Sequence, residues 1–152
     1  MQPGRLQRLT KGPLAEMAGS KGADLWLDGG HNPHAGRALA DACARLAARD
    51  GRPVRLIVGM LGRKDAAGFF APFAGLADAV FTTGFEAPSA APAQALAETA
   101  RSVGVAAEPT GNVTEALELA LVHDGPPPHV LICGSLYFVG DVLAASPETW
   151  PT

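Results

Sequence analysis

The stretch Leu25-Trp26-Leu27-Asp28-Gly29-Gly30-His31-Asn32-Pro33-His34 reads as a strand, a tight turn and the start of a helix. Leu25 to Leu27 form a short apolar run suited to a buried strand. Asn32-Pro33 place a capping side chain just before a proline at the first helical position. The two glycines let the backbone turn sharply and let a ligand approach it closely. Asp28 and His31 are thereby held where a parallel strand ends, the edge at which open α/β sheets bind small ligands.

Outward from this corner the unit repeats. The helix from Pro33 carries Ala35, Leu39, Cys43, Leu46 and Ala47 at helical spacing and should end near Asp50-Gly51. Val54 to Val58 is a second apolar run, followed by Gly59-Met60-Leu61-Gly62-Arg63-Lys64-Asp65 and a short helical pattern through Phe69, Phe70 and Phe73. Ala79 to Thr82 is a third strand. After the loop Thr83 to Pro88, Pro92 can open a helix carrying Leu96, Ala100 and Val103. Val105 to Glu108 is a fourth strand, and Asn112 with Glu115 has capping-box spacing for a helix reaching about His123. Beyond the connector Gly125-Pro126-Pro127-Pro128 come a fifth run, Val130 to Cys133, and Gly134-Ser135-Leu136-Tyr137-Phe138 leading into a last helix. Upstream, Leu6 to Leu9 allow a brief edge strand, and Gly12 to Gly22, with only Leu14 and Met17 as apolar anchors, reads as a loop.

Strands alternating with helices predict a Rossmann-like three-layer α/β/α domain over residues 1–152, with a mainly parallel sheet of about five or six strands. In such a sheet the strand-to-helix loops at Asp28–His31, Gly59–Asp65, Thr83–Pro88 and Gly134–Tyr137 emerge on one edge. Each polar group there has two readings. Asp28 either accepts hydrogen bonds from ribose hydroxyls or fixes its own turn. His31 either donates to a phosphate or carboxylate or is an ordinary loop histidine. Arg63 and Lys64, together with the amides of the helix that follows, suit an anion, or form a solvated pair. Ser135 either bonds an anion or caps the last helix.

With 152 residues, 47% hydrophobic and 18% charged, the chain is long and apolar enough for a sizeable core. A formal net charge of -3 and the lack of a basic block give no electrostatic reason to expect nucleic acid or an anionic membrane as partner. Apolar runs are too short to cross a bilayer and the first residues lack the order of a secretory signal, which points to the cytoplasm. Cys43 and Cys133 have no metal-ligand spacing and read as reduced, partly buried thiols. His34, His123 and His129 read as surface histidines, and Phe69, Phe70 and Phe73 as core. No P-loop, no Gly-x-Gly-x-x-Gly after the first strand, no Gly-x-Ser-x-Gly elbow and no zinc spacing is present.

Pro3-Gly4-Arg5-Leu6-Gln7, Leu27-Asp28-Gly29-Gly30-His31-Asn32-Pro33, Gly59-Met60-Leu61 with Lys64-Asp65, and Cys133-Gly134-Ser135-Leu136-Tyr137 occur in a telling order. The chain resembles the C-terminal domain of the folylpolyglutamate synthase and dihydrofolate synthase branch of the Mur ligase family. The resemblance implies an ATP-dependent amide ligase: a substrate carboxylate is phosphorylated, and the amino group of L-glutamate attacks the acyl phosphate. It implies that ATP and Mg2+ are held mainly by an N-terminal P-loop domain lying outside this chain, with folate or dihydropteroate as the acceptor. By matching positions, Arg5 and Asp28 would contact ATP, Asp28 through ribose. His31 and Lys64 would be catalytic and, with Arg63 and Ser135, lie near glutamate or the phosphates. Three departures stand out. Gln2 follows Met1 where a tryptophan is usual, so the chain reads as an excised domain, and without a P-loop of its own it should be inactive alone. Arg63 stands where Asp is usual. Ala87-Pro88-Ser89-Ala90 lacks a familiar arginine, so that loop receives no binding role. Two alternatives remain, a cell-wall Mur ligase domain and a stand-alone nucleotide-binding module without catalysis.

Overall fold

The computed structural model of this chain describes residues 6–29, 33–62 and 65–144. Its elements are β1 (Gln7–Leu9), α1 (Pro13–Ser20), β2 (Asp24–Asp28), α2 (Pro33–Asp50), β3 (Val54–Gly59) and α3 (Ala66–Phe70), the last running into a 3-10 turn at Ala71–Phe73. They continue with β4 (Ala79–Thr83), α4 (Ala93–Ser102), β5 (Ala107–Thr110), α5 (Val113–Ala120), β6 (His129–Gly134) and α6 (Leu136–Ala144). The sheet order is β1-β2-β6-β3-β4-β5, and only β1 runs antiparallel. A mainly parallel Rossmann-like sheet is what the alternating pattern predicts. The insertion of the last strand between β2 and β3 is not legible in that pattern.

Chain direction decides which helix covers which face. Stepping from β2 to β3, β4 and β5 moves one way along the sheet, and right-handed crossovers place α2, α3 and α4 together on one face. The return from β5 to β6 places α5 on the other, beside α1 and α6. The core is divided accordingly. Phe69, Phe70, Phe73, Leu39, Cys43 and Leu96 pack against Leu56, Val58, Val80 and Leu131 on the first face. Leu117, Phe138, Val139 and Val142 pack against Leu25, Leu27, Ile57 and Ile132 on the second. The three phenylalanines are fully buried, as expected, each contributing about 1.5–3 kcal/mol by burial.

Four expectations need correction. The segment Gly12 to Gly22 is not a loop: Pro13 starts α1, Glu16 N–H bonds Gly12 O at 3.0 Å, and Ala18 is buried beneath it. Small alanines supplied the apolar face that Leu14 and Met17 alone did not reveal. The fourth strand is Ala107–Thr110, and Val105 instead closes α4 with its N–H on Ala100 O at 3.0 Å. Pro109 is tolerated in β5 because this is an edge strand. Helix α5 stops at Ala120 rather than near His123. His129 is not at the surface: it is wholly buried, as are the thiols of Cys43 and Cys133.

His129 belongs to a polar cluster at the amino edge of the sheet. Trp26 Nε1–H, which can only donate, bonds His129 Nδ1 at 3.3 Å, so the ring's other nitrogen, Nε2, donates to Asp50 Oδ2 at 2.8 Å. Arg52 is the hub beside it, donating from Nε to Pro127 O at 2.7 Å, from NH1 to Asp24 Oδ2 at 2.9 Å and from NH2 to Pro128 O at 3.2 Å. Arg8 reaches the other oxygen of Asp24 at 2.8 Å. These bonds tie β1, β2, the end of α2 and the proline connector to the start of β6.

Candidate functional site at the carboxyl edge

Asp28 and Ser135 end up side by side because their strands are neighbours: Asp28 pairs in register with Cys133, two residues before Ser135. Asp28 is half-buried on the α2 face, and its charge reaches the thiols below. Burial and then the Asp28 charge push Cys43 up to about 12, and burial, Cys43 and Asp28 push Cys133 upward too. Both sulfurs therefore stay protonated near neutral pH and act as small apolar groups.

Ser135 is buried, with 1% of its surface exposed, at the start of α6. Its Oγ accepts the Tyr137 N–H at 3.1 Å, so the capping expectation is met. Its O–H donates to no other described residue. Its own N–H is fixed on Gly59 O at 2.9 Å, which joins the ends of β6 and β3.

The loop after β3 is tied down on both sides of the Arg63–Lys64 pair. Gly62 N–H bonds Ser89 O and Ala91 N–H bonds Met60 O, each at 2.8 Å, and Leu61 bridges Ala90. The segment Ala87–Ala90, to which no binding role was assigned, thus has a structural one. Asp65 caps α3 by accepting Gly68 N–H at 2.9 Å, so that one of the helix-start amides expected to meet an anion is already occupied. Arg5, His31, Arg63 and Lys64 lie outside the described residues. The residues flanking them, Leu6, Gly29, Pro33, Gly62 and Asp65, are described.

Topology sets this edge apart. The chain leaves β2 and β3 for the α2–α3 face, whereas it leaves β6, which lies between them, for the opposite face. Such a reversal between neighbouring parallel strands is a switch point, where open sheets part their loops and admit ligands. By contrast, a groove of about 550 Å³ lined by Met17, Lys21, Glu118, Leu121, Val122 and His123 lies at the opposite edge. There the ring nitrogens of His123 already face Gly125 O and Lys21 O at 3.0 and 3.2 Å. Among the described residues no group of three or more His, Cys, Asp or Glu could hold a metal ion, and no helix is long and apolar enough to cross a membrane.

Comparison with known proteins decides the family. The profile of the Mur ligase glutamate ligase domain matches residues 4–136. The chain belongs to the Mur ligase family. Solved structures of folate-branch enzymes share the fold of this Mur ligase domain. A ligand-free bifunctional folylpolyglutamate synthase/dihydrofolate synthase from Yersinia pestis is 32% identical over 95% of this chain and 32% of its own, with a TM-score of 0.73. Another structure of a bifunctional synthase, with Mn, AMPPNP and L-glutamate bound, is 34% identical over 95% of this chain and 32% of its own, with a TM-score of 0.71. E. coli FolC in complex with DHPP and ADP is 26% identical over 95% and 31%, with a TM-score of 0.69. A search of curated protein sequences finds no match. The domain spans about a third of the length of these solved relatives.

Pattern reading missed two features of the site. The Gly59–Gly134 contact between strand ends was hidden because the two residues are far apart in sequence. Phe138, which packs over Gly59 and against the Phe85 ring with centroids 5.5 Å apart, looked like any apolar helix residue.

Proposed function

We propose that this domain supplies the glutamate side of an ATP-dependent amide ligase of folate metabolism, closing over a P-loop domain of the same polypeptide. The switch point at β2, β6 and β3 carries this reading, because it sets Asp28 and the Ser135 hydroxyl on one rim, at the ends of neighbouring strands. The loop that bears Arg63 and Lys64 starts and ends at that rim, as does the loop that bears His31. A solved relative holding L-glutamate together with AMPPNP and Mn supports the choice of ligands.

In the proposed reaction an acceptor carboxylate oxygen of folate or dihydropteroate attacks the γ-phosphorus of ATP, and ADP leaves. The glutamate nitrogen then attacks the acyl carbon, loses a proton and expels phosphate, leaving an amide bond. Mg2+, held mainly by the P-loop domain, would neutralise phosphate charge during the first step. This chain's residues bind and orient. Asp28 accepts from the ribose and Arg5 meets the nucleotide. Lys64, Arg63 and the Ser135 hydroxyl bond carboxylate or phosphate oxygens, and His31 donates at the same place. Closure keeps water from the acyl phosphate.

The test is turnover by the complete polypeptide with ATP, L-glutamate and each acceptor. Glutamate-dependent ADP release should appear there and be absent from the 152-residue chain. Turnover by the chain alone would refute the division of labour, and turnover confined to a muramyl acceptor would place the enzyme in the cell-wall branch.

A further inference from the structure

The ends of β3 and β6 approach more closely than side chains permit. Gly134 has a φ of 118°, and a Cβ there would stand 2.2 Å from Gly59 O. At Gly59 a Cβ would stand 2.7 Å from the Phe138 ring. Neither contact can relax cheaply, since one partner is backbone and the other a ring that is 1% exposed. Around this point the Ser135 N–H bonds Gly59 O, Phe138 packs on Phe85 of the loop after β4, and Met60 and Gly62 bond the same loop at Ala91 and Ser89.

We infer that Gly59, Gly134 and Phe138 form a lock that makes Met60–Gly62, the loop after β4 and the start of α6 one rigid body. The lock sets the Ser135 hydroxyl and the segment leading to Arg63 and Lys64 at a fixed spacing. These three act as positioning residues. A ligand oxygen bonded by Ser135 then meets a donor whose position is set before binding, which lowers the ordering cost. That functional half rests on the ligase reading, whereas the rigid body does not.

The experiment is amide hydrogen exchange on the 152-residue chain, followed by titration of the complete polypeptide with L-glutamate and ATP·Mg2+ in 1H–15N spectra. Wild type is compared with Gly134→Ala and with Val142→Ala, a core truncation on α6. Gly134→Ala should speed exchange at Ser135, Gly62 and Ala91 together by at least about tenfold beyond any change in the globally exchanging amides of the sheet. Val142→Ala should move all of these only in proportion to global stability. Should Gly134→Ala not fold, Phe138→Ala carries the same comparison without strain at residue 134. If exchange rises at Ser135 alone, or no more than in Val142→Ala, the lock is refuted. In wild type, glutamate should shift the β3 and β6 loops at one common midpoint, and Gly134→Ala should raise that midpoint at least about tenfold. A complete polypeptide with coupled exchange in this domain but no response to either ligand would leave the lock standing and count against the ligase reading.

Discussion

The two edges of the sheet spend their polar groups differently. At the amino edge Arg52, Asp24, Asp50, His129 and Trp26 bond one another and the surrounding carbonyls, so the cluster is complete without a ligand. At the carboxyl edge the buried Ser135 accepts one bond and donates to no other described residue, and the ends of β3 and β6 are drawn together by the close approach of Gly59 and Gly134. Buried polar groups that a protein satisfies internally serve the fold, whereas a buried hydroxyl at a switch point is suited to something that arrives.

Substitutions at the two edges should therefore separate stability from binding. The largest loss of stability should come from Arg52→Ala, which removes one of the two guanidinium partners of Asp24 and the side-chain donor to the Pro127 and Pro128 carbonyls. Chemical denaturation should show about 3 kcal/mol lost, with the glutamate response of the folded fraction unchanged. An altered midpoint for glutamate would break the comparison. Ser135→Ala should do the reverse, changing stability by less than about 1 kcal/mol while weakening glutamate at least about tenfold in the complete enzyme.

A smaller effect follows acid. Desolvation, the largest single influence, pushes Asp50 up, but the Arg52 N–H, the His129 ring and the nearby guanidinium together outweigh it and hold the carboxyl below its ordinary value. A depressed carboxyl stabilises the fold above the ordinary carboxylate range, and that contribution fades as pH falls through the lowered value. Asp50→Asn should accordingly flatten the acid side of a stability-against-pH curve. An unchanged acid limb would show that Asp50 is not coupled to folding. The smallest signal should be thiol reactivity. Cys43 and Cys133 should resist a thiol reagent at pH 8 until the chain unfolds, and fast labelling of the native protein would contradict their burial.

Much of the fold was legible because each parallel strand is a short apolar run followed by a glycine turn and an amphipathic helix. The corner at Asp28 and the cap at Ser135 followed from that local chemistry. Sequence position could not show that β6 inserts between β2 and β3, since strand order is set by long-range packing. His129 misled because a histidine beside a proline-rich connector resembles a surface residue. Only the fold brings Trp26 and Asp50 to its two nitrogens. Helix α1 was hidden by alanines, which bury area without announcing a stripe.

Where ligand-induced shifts fall along the backbone tests the central claim most directly. With ATP·Mg2+ and L-glutamate added to the complete polypeptide, perturbed amides of this domain should cluster at 28–33, 59–65 and 134–138. Shifts gathered instead at 22–24, 50–53 and 122–129 would place the ligand on the amino edge and contradict the account.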